Sequence, residues 1–225
     1  MRLRVMAWNV HGFRGGTAQA AEAVAAVEPD LLLLNETRYL GFRLRRFTSR
    51  TQMQAASGLH GVRRIPNAVL ARPPWRVVRS ETLPFPRARR TIRRGAVIAM
   101  VGRAGTRLSA VALHLGLSEG ERLEDARVLT DLLAGRDPVV LGGDLNEGPD
   151  GRAVEWIGER FWDAFERAGR GEGTTFPASE PRTRIDYLFV SQGVSVESVR
   201  VGGPGFIDRS DHLPVIADLV LGTGD

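Results

Sequence analysis

Residues 184–190 read Arg-Ile-Asp-Tyr-Leu-Phe-Val, and residues 210–215 read Ser-Asp-His-Leu-Pro-Val. Each segment sets ionisable side chains directly against an apolar run that is typical of a β-strand. An unpaired charge beside a buried strand is costly, so these side chains are expected to bind a partner. The two segments together predict a functional site at strand ends that includes Asp186, Asp211 and His212.

Upstream segments share this layout of an apolar strand followed by polar side chains. They are residues 8–12 (Trp-Asn-Val-His-Gly), 34–37 (Leu-Asn-Glu-Thr), 112–115 (Ala-Leu-His-Leu) and 143–146 (Gly-Asp-Leu-Asn). Strand ends hold side chains rigidly, which is what a catalytic constellation requires. The pattern therefore predicts that one site is assembled from strands spread along the whole chain.

The residue types at these strand ends indicate a particular chemistry. Oxygen ligands dominate, and they suit Mg²⁺ or Mn²⁺ better than zinc, which prefers nitrogen or sulfur. Two histidines, His114 and His212, could stabilise a phosphate or protonate a leaving oxygen. The oxygen donors are Asn9, Glu36, Asp144, Asn146 and Asp211.

The composition is that of an ordinary globular protein. The chain has 225 residues, 43% hydrophobic and 25% charged, with no Pro/Gly/Ser-rich linker, which predicts one domain over residues 1–225. It contains no cysteine, so disulfides and thiolate metal sites are excluded. The N-terminus lacks the apolar region of a signal peptide, and no apolar run approaches the roughly 18–20 residues of a membrane span. We expect a soluble, cytoplasmic monomer.

The net charge of +5 is compatible with a polyanionic partner such as nucleic acid or anionic lipid. All 31 basic residues are arginine, however, and alanine and glycine are abundant. That pattern is typical of a GC-rich coding bias as much as of a selected binding surface. Charge alone therefore leaves the partner open.

Hydrophobic patterns predict about ten strands and three helices. The four consecutive leucines of residues 31–34 predict a strand buried on both faces. Ser118 and Glu121 form a capping box at the start of a helix over 119–134, and residues 40–57 are predicted as a polar, arginine-rich loop. The other predicted helices cover 17–28 and 151–168, and the other strands 2–9, 67–71, 75–83, 95–102, 107–114, 139–141, 185–190, 194–201 and 214–221.

The strand count decides between two α/β architectures. A doubly wound parallel sheet needs roughly one crossover helix for each strand. Three helices are too few for that arrangement. The pattern favours a four-layer α/β sandwich, in which two mixed β-sheets pack face to face with helices outside.

Taken in order from Trp8 to Val215, the strand-end segments resemble those of the endonuclease/exonuclease/phosphatase superfamily. That superfamily contains DNase I-like nucleases, abasic-site endonucleases, sphingomyelinases and inositol polyphosphate 5-phosphatases. No single motif is decisive, but their joint occurrence in the family's order is specific. Residues 114–118 (His-Leu-Gly-Leu-Ser), followed by Glu121 and Arg122, resemble small bacterial members.

The resemblance implies roles for the acidic and amide residues. Asn9 and Glu36 match the family's first metal-site positions, and Asp211 matches a further metal ligand. Asp144 matches the residue that orients or deprotonates the attacking water. Asn146 matches the residue that positions the phosphate.

The resemblance also implies roles for the histidines and their partners. His114 matches the histidine that contacts the scissile phosphate. His212 matches a phosphate-binding histidine, and Asp186 is expected to pair with it. In this arrangement the Asp186 carboxylate favours the charged form of His212.

Four further residues are interpreted as substrate contacts. His11 touches either the metal site or the substrate, and Asn67 lies where related small members also tend to have Asn. Arg94 is a phosphate-binding or a structural arginine. Phe176 could stack on a base, although an aromatic residue beside proline more often packs within its own loop.

Two departures separate this chain from abasic-site endonucleases that resemble exonuclease III. Those enzymes usually carry an acidic residue at the position of His11 and a tyrosine at that of His114. Both differences favour the DNase-like and phosphatase-like branches of the superfamily.

The leading functional hypothesis is a Mg²⁺- or Mn²⁺-dependent phosphodiesterase that uses an activated water, acting as an endonuclease on DNA. One alternative is a phosphatase or phosphodiesterase on a small molecule or a phospholipid headgroup. Another is a catalytically silent nucleic-acid-binding module. Specificity in this fold is expected to lie in the loops 38–57, 84–94 and 170–183.

Overall fold

A computed structural model describes residues 1–38, 41–60, 64–86 and 93–222. Within these ranges the helices are α1 (Thr17–Val27), α2 (Phe42–Thr51), α3 (Glu119–Leu133), α4 (Arg152–Gly158) and α5 (Ala164–Ala168). Short 3₁₀ turns cover His11–Phe13 and Pro204–Phe206. The strands are β1 (Arg2–Asn9), β2 (Leu31–Asn35), β3 (Gln54–Ser57), β4 (Ala68–Ala71), β5 (Arg76–Pro84), β6 (Gly95–Arg103), β7 (Thr106–His114), β8 (Val139–Asp144), β9 (Trp162–Asp163), β10 (Asp186–Val190), β11 (Val194–Val201) and β12 (Val215–Leu221).

The strands form two six-stranded mixed sheets. The first has the order β11-β12-β1-β2-β4-β3, and the second has the order β5-β6-β7-β8-β10-β9. Each sheet contains one central parallel pair, β1 with β2 and β7 with β8, among antiparallel neighbours. The predicted α/β sandwich of two mixed sheets is confirmed.

Successive side chains along a strand point to opposite layers, which explains why the sheets pack face to face while helices cover their outer faces. In β2, Leu31 and Leu33 belong to the apolar layer between the sheets, while Leu32 and Leu34 pack toward α1 and α2. All four are fully buried, as the continuous leucine run predicted. Each buried leucine contributes about 1.5–3 kcal/mol relative to an exposed one, so this short strand stabilises two layers at once.

Helices cover the outer face of each sheet. Residues of α1 and α2, including Val24 and Phe47, pack against the first sheet. Residues of α3 and α4, including Leu129 and Ile157, pack against the second sheet. The helices and sheets thus form the four predicted layers. No helix in the described ranges is both long and apolar enough to span a membrane.

The predicted helix start at Ser118 is present in detail. The Ser118 side chain accepts from the Glu121 N–H, and the Glu121 side chain accepts from the Ser118 N–H. Both bonds satisfy backbone donors that a helix leaves unpaired at its first turn. The predicted helices over 17–28 and 119–134 are therefore found as α1 and α3, within one residue at each end.

The prediction of a loop over residues 40–57 was wrong in the part that the structure describes. Residues 42–51 form α2, and residues 54–57 form β3. Leu44, Phe47 and Thr51 are buried along one face of α2 at helical spacing. The arginines between them occupy the solvent face, so their polarity hid an amphipathic helix.

A single helix over residues 151–168 was also wrong. The segment divides into α4, the two-residue strand β9 and α5. Gly158 is the last residue of α4. The Asp163 side chain accepts from the Phe165 N–H and caps the N-terminus of α5. Gly and Asp are poor interior helix residues because one loses much backbone entropy and the other prefers to cap.

Candidate active site

The ends of five strands meet at one end of the sandwich. In the second sheet Asp144 of β8 lies opposite His114 of β7 and Asp186 of β10. In the first sheet Asn9 of β1 lies opposite Asn35 of β2. The alignment follows from the parallel pairs, because parallel neighbours end at the same edge of a sheet.

Asp144 is the centre of the hydrogen-bond network. Asn9 Nδ2 donates to Asp144 Oδ2 at 3.0 Å, and His114 Nε2 lies 3.1 Å from the same oxygen. The Asn146 N–H donates to Asp144 Oδ1 at 2.9 Å. His212 Nε2 faces Oδ2 from 3.8 Å. Residues from both sheets therefore converge on one buried carboxylate.

His212 is held from its other ring nitrogen. His212 Nδ1 donates to Asp186 Oδ2 at 2.9 Å, and Asp186 is fully buried. The Trp8 Nε1–H donates to the His212 carbonyl at 3.0 Å, which fixes the backbone as well. The predicted pairing of Asp186 with His212 is present in the geometry. We call His114, Asp144, Asp186 and His212 the inner network.

The inner network has shifted protonation equilibria. Burial lowers the pKa of His212, but the Asp186 charge and hydrogen bond, with Asp144, outweigh burial and raise that pKa to about 10. Burial raises the pKa of Asp144, but His114, His212 and the Asn146 N–H outweigh it and hold that pKa well below its ordinary value. At neutral pH the site therefore contains a buried imidazolium against a carboxylate.

Close packing around the inner network restricts the backbone of β8 at Gly143. Gly143 adopts φ +145°, and a Cβ built there would lie 2.0 Å from the Leu113 carbonyl oxygen and 2.7 Å from Asn35 Oδ1. Only glycine therefore permits β8 to pass this close to β7 and β2. This close passage brings Asp144 beside Asn35.

Asn35 joins the two sheets and was not predicted as a site residue. Its Nδ2 donates to the Leu113 carbonyl at 2.8 Å, and its Oδ1 accepts from the Asp144 N–H at 3.1 Å. Asn35 is fully buried. Its position directly before Glu36 was the available signal, but the two residues have different surroundings because successive strand side chains face opposite ways.

Thr175 and Ser210 are two further supports that sequence reasoning missed. Thr175 is fully buried, and its Oγ1 accepts from the Asp186 N–H at 3.2 Å. Ser210 Oγ donates to the Asn9 carbonyl at 2.6 Å and accepts from the His212 N–H at 3.2 Å. The Ser-Asp-His order gave a signal for Ser210, whereas no pattern in the sequence distinguished Thr175.

Glu36 lies on the open side of the network. It follows β2 with φ +56°, and the Gly12 N–H donates to its carbonyl at 2.8 Å. Its side chain is 17% exposed, and Arg94 Nη1 lies 3.9 Å from its Oε1. Arg94 Nη1 also lies 2.7 Å from His114 Nδ1, so the arginine connects Glu36 to the inner network.

His11 and Asp211 form a second, more exposed pair. His11 Nδ1 lies 3.0 Å from Asp211 Oδ1, with side chains 28% and 42% exposed. The His11 N–H donates to Asn9 Oδ1 at 3.0 Å, which places this pair next to Asn9. We call Glu36 and Asp211 the outer carboxylates.

The remaining predicted residues divide into near and distant ones. Asn146 Nδ2 donates to the Leu115 carbonyl at 3.0 Å, and the Phe176 ring lies 4.8 Å from the His212 ring centre. Asn146 and Phe176 therefore lie beside the inner network. Asn67 is fully buried, and its Nδ2 donates to the Gly95 carbonyl at 2.9 Å, one strand away from His114.

The donor chemistry fits a hard divalent cation at the outer carboxylates. The Glu36 carboxylate makes no hydrogen bond to any described residue, so its lone pairs are available to a ligand. The inner network also brings potential ligand atoms of Asp144, Asp186 and His212 within 4.8 Å of one another. That cluster is already closed by the imidazolium, which supplies its own positive charge. Oxygen donors of this type suit Mg²⁺ or Mn²⁺.

The loop after His114 contains another buried acid. Asp125 of α3 accepts from the Gly116 N–H at 2.9 Å and is only 3% exposed. Burial raises the pKa of Asp125 to about 7, against the lowering effect of the Gly116 N–H. This bond anchors the segment that connects His114 to α3.

Comparisons with known proteins agree with the fold. An Endonuclease/Exonuclease/phosphatase family model matches residues 6–212. No curated protein matches the chain significantly. An endonuclease/exonuclease/phosphatase structure from Bacteroides vulgatus is 19% identical with a TM-score of 0.84, and the match covers 99% of this chain and 100% of that one.

Two other similar structures belong to proteins with different names. A mannosyl-6-phosphatase from Bacteroides thetaiotaomicron is 18% identical with a TM-score of 0.80, covering 97% of this chain and 100% of that one. A humanized D. rerio TDP2 is 20% identical with a TM-score of 0.79, covering 97% and 99%. At these identities the similarity shows the fold. The family match spans most of the sequence, and members of this family are phosphoric ester hydrolases. The chain therefore belongs to the endonuclease/exonuclease/phosphatase family.

Proposed function

We propose that this protein is a metal-dependent phosphodiesterase that hydrolyses nucleic acid through an activated water, with DNA cleaved as by an endonuclease. The observation that carries the proposal is the convergence of Asn9, His114 and His212 on the Asp144 carboxylate. It combines an ionised acceptor with a fixed imidazolium. In-line displacement at phosphorus needs the acceptor to orient the attacking water and the imidazolium to stabilise the negative charge that develops on the phosphoryl oxygens.

Asp144 would orient the attacking water. A carboxylate has about four acceptor positions, and Asn9, His114 and the Asn146 N–H use three of them here. One position on Oδ1 remains for a water proton. The lowered pKa keeps Asp144 ionised, so that it can accept this hydrogen bond at neutral pH.

His212 and His114 would stabilise the pentacovalent state. His212 is positively charged because Asp186 holds its Nδ1–H, and its Nε2–H points toward Asp144 and the reaction centre. His114 lies at the adjacent strand end against Arg94. Asn146 would position the phosphate from the turn after β8, where its N–H already bonds Asp144.

Asn9, Glu36 and Asp211 would hold the Mg²⁺ or Mn²⁺. When bound, the cation would neutralise charge on the phosphoryl oxygens. The available Glu36 lone pairs and the half-exposed Asp211 support this assignment. Asp211 would exchange its contact with His11 for the cation, which leaves His11 directed at the substrate.

The substrate-contact set is supported unequally. Arg94 lies between Glu36 and His114, which suits a guanidinium that binds a phosphate oxygen. Phe176 and His11 lie beside His212 and Asp211, respectively. Asn67 is buried, so its contribution to substrate binding would have to act through the Gly95 carbonyl that it holds.

A phosphatase on a small phosphorylated molecule is the second candidate. A groove of about 290 Å³ lies beside His11 and Asp211, lined also by Pro177, Ala178 and Ile207. The fold similarity to a mannosyl-6-phosphatase favours including sugar phosphates among the substrates tested. Phospholipid headgroups belong to the same class of alternatives.

The deciding experiment is a substrate panel with the purified protein and either Mg²⁺ or Mn²⁺. The panel contains duplex DNA, single-stranded DNA, RNA, nucleotides, sugar phosphates, phosphoinositides and sphingomyelin. We expect cation-dependent cleavage of DNA that EDTA abolishes and that weakens steeply with salt. Turnover of a sugar phosphate alone would favour the second candidate. DNA binding without cleavage of any phosphoester would favour a silent binding module.

The organisation of the protein stays a prediction. We propose that residues 1–225 form one catalytic domain, supported by the apolar layer to which both sheets contribute. A cytoplasmic monomer is the corresponding expectation. Light scattering of the purified chain and cell fractionation would test these two points.

A further inference from the structure

Exposed apolar side chains occur on three segments that adjoin the candidate active site. Within the described ranges, the exposed large hydrophobic residues are Phe42 (48%), Val78 (55%), Leu117 (60%) and Ile207 (37%). Single exposed hydrophobic residues are ordinary on a protein surface. Three of these four, however, lie on segments that contact candidate site residues or their neighbours in sequence. We call Phe42, Leu117 and Ile207 the entrance rim.

A contact of a nearby residue, or a shared groove, places each rim residue near the site. Leu117 lies three residues after His114, on the loop whose Leu115 carbonyl accepts from Asn146 Nδ2. Ile207 lines the 290 Å³ groove together with Asp211.

Phe42 approaches the site from the first sheet. It is the first residue of α2, and the next residue, Arg43, donates from Nη1 to the Gly12 carbonyl at 2.6 Å. Gly12 belongs to the turn that follows Asn9. Phe42 follows β2 of the first sheet and Leu117 follows β7 of the second, so the rim includes segments that are connected to both sheets.

Positive charge accompanies these apolar residues. Arg14, Arg38 and Arg43 surround the turn at residues 11–13, and none of them forms an ion pair with a described residue. Arg38 packs so closely on this turn that a Cβ at Gly12 would lie 2.1 Å from Arg38 Nε. Near Phe42 the rim thus combines apolar surface with guanidinium groups that form no ion pair with described residues, whereas Asp208 and Asp211 line the groove beside Ile207.

We propose that the entrance rim binds an unpaired nucleic acid strand, so that exposed bases cover the apolar side chains and flanking phosphates meet the arginines. This inference rests on the proposed nuclease function and narrows its substrate class. A duplex buries its base faces in the stack, whereas an unpaired strand exposes them for contact with aromatic and apolar side chains. A duplex would satisfy the arginines but leave Phe42, Leu117 and Ile207 uncovered.

The test compares three substrates and two sets of variants. The substrates are a single-stranded dodecanucleotide, a hairpin whose duplex stem contains the same twelve nucleotides, and bis(4-nitrophenyl) phosphate. The last compound offers one phosphodiester and no nucleic acid strand. The rim variant is Phe42→Ser/Leu117→Ser/Ile207→Ser. The matched control is Val78→Ser, because Val78 is exposed to a similar extent but lies on β5, far from the site. Its neighbour Val77 pairs with Val101 at one end of β6, whereas Gly95 pairs with His114 at the other end.

We expect the rim variant to raise KM for the single strand by about tenfold or more, because the loss of base stacking on Phe42 alone is expected to have about that effect. Values of kcat, duplex cleavage and hydrolysis of bis(4-nitrophenyl) phosphate should change by less than about twofold, since the reacting groups are untouched. Val78→Ser should match the wild type on all three substrates. If the triple variant melts early, Leu117→Ser alone provides the same comparison with a smaller expected rise.

Other outcomes overturn the inference in identifiable ways. An unchanged KM for the single strand, or an equal loss on bis(4-nitrophenyl) phosphate, removes the rim as a strand-binding surface. Rim-dependent binding to phosphatidylserine vesicles with unchanged oligonucleotide kinetics would reassign the surface to lipid. Wild-type cleavage of bis(4-nitrophenyl) phosphate without cleavage of either oligonucleotide would reject the rim inference and leave the phosphodiesterase standing. Failure on every phosphodiester would reject both.

Discussion

The inner network and the outer carboxylates differ in how far their polar atoms are already satisfied. Asp186 and Asp144 are almost completely buried and bonded to neighbouring side chains, and among their carboxylate oxygens only Asp186 Oδ1 has no hydrogen-bond partner within the described residues. Glu36 and Asp211 are partly exposed, at 17% and 42%, and their partners are a distant arginine and a neighbouring histidine. The difference indicates that folding fixes protonation states in the first region and leaves ligand positions available in the second.

Asp144→Asn is expected to have the largest effect on activity and tests the role of the inner network most directly. The amide cannot accept from three donors and the water together, and it removes the charge opposite His212. We expect kcat to fall by about 10³-fold or more. Glu197→Gln, which changes a surface carboxylate paired with Arg2, is the control and should retain full activity. Activity within tenfold of wild type would show that Asp144 does not orient the water.

Asp186→Asn tests whether folding presets the charge of His212. Without the Asp186 charge, the His212 pKa should fall from about 10 toward its ordinary value near 6.5. The alkaline limb of the kcat profile should move to lower pH, and kcat at pH 8 should fall by about 10²-fold. An alkaline limb that stays in place would mean that another group sets it.

The same pair predicts a pH dependence of stability. The folded-state pKa of His212 is raised, so its stabilising contribution is fully present below about pH 6.5 and is lost as pH rises through about 10. Urea unfolding between pH 6 and 10 should show a smaller decline in the free energy of unfolding for Asp186→Asn than for the wild type. Parallel declines would contradict the assignment of the charge.

Glu36→Gln tests the open region. We expect at least a tenfold loss of Mn²⁺ affinity, measured by calorimetric titration, because a charged oxygen ligand is removed. The melting temperature without metal should not change, since Glu36 makes no hydrogen bond to a described residue. Wild-type Mn²⁺ affinity in this variant would move the cation away from the outer carboxylates.

Asn35→Ala is expected to have the smallest effect on activity and a clear effect on stability. It leaves the buried Leu113 carbonyl and Asp144 N–H without their partner. The free energy of unfolding should fall by about 1–3 kcal/mol in urea denaturation, with kcat reduced by less than the other changes. A loss of kcat as large as that of Asp144→Asn, with an unchanged free energy of unfolding, would assign Asn35 to the inner network.

Much of the fold and of the candidate site could be predicted from local patterns. The leucine run of β2 and the capping box of α3 were read correctly because each depends on neighbours in sequence. The segment that became α2 was misread because its arginines outnumber the apolar residues that face the core. Which of its faces is buried is decided by the sheet beneath, and that contact is not local.

The sequence by itself determined which ionisable residues stand at strand ends, the two-sheet architecture and the family. Tertiary structure decided which atoms meet. Asp186 reaches His212 across 26 positions, and Asn35 reaches Asp144 across 109. It also decided the charge of His212, since that charge depends on burial and on a carboxylate 2.9 Å away. Strand patterns are local properties of a chain, whereas desolvation and hydrogen-bond partnership exist only after distant segments pack together.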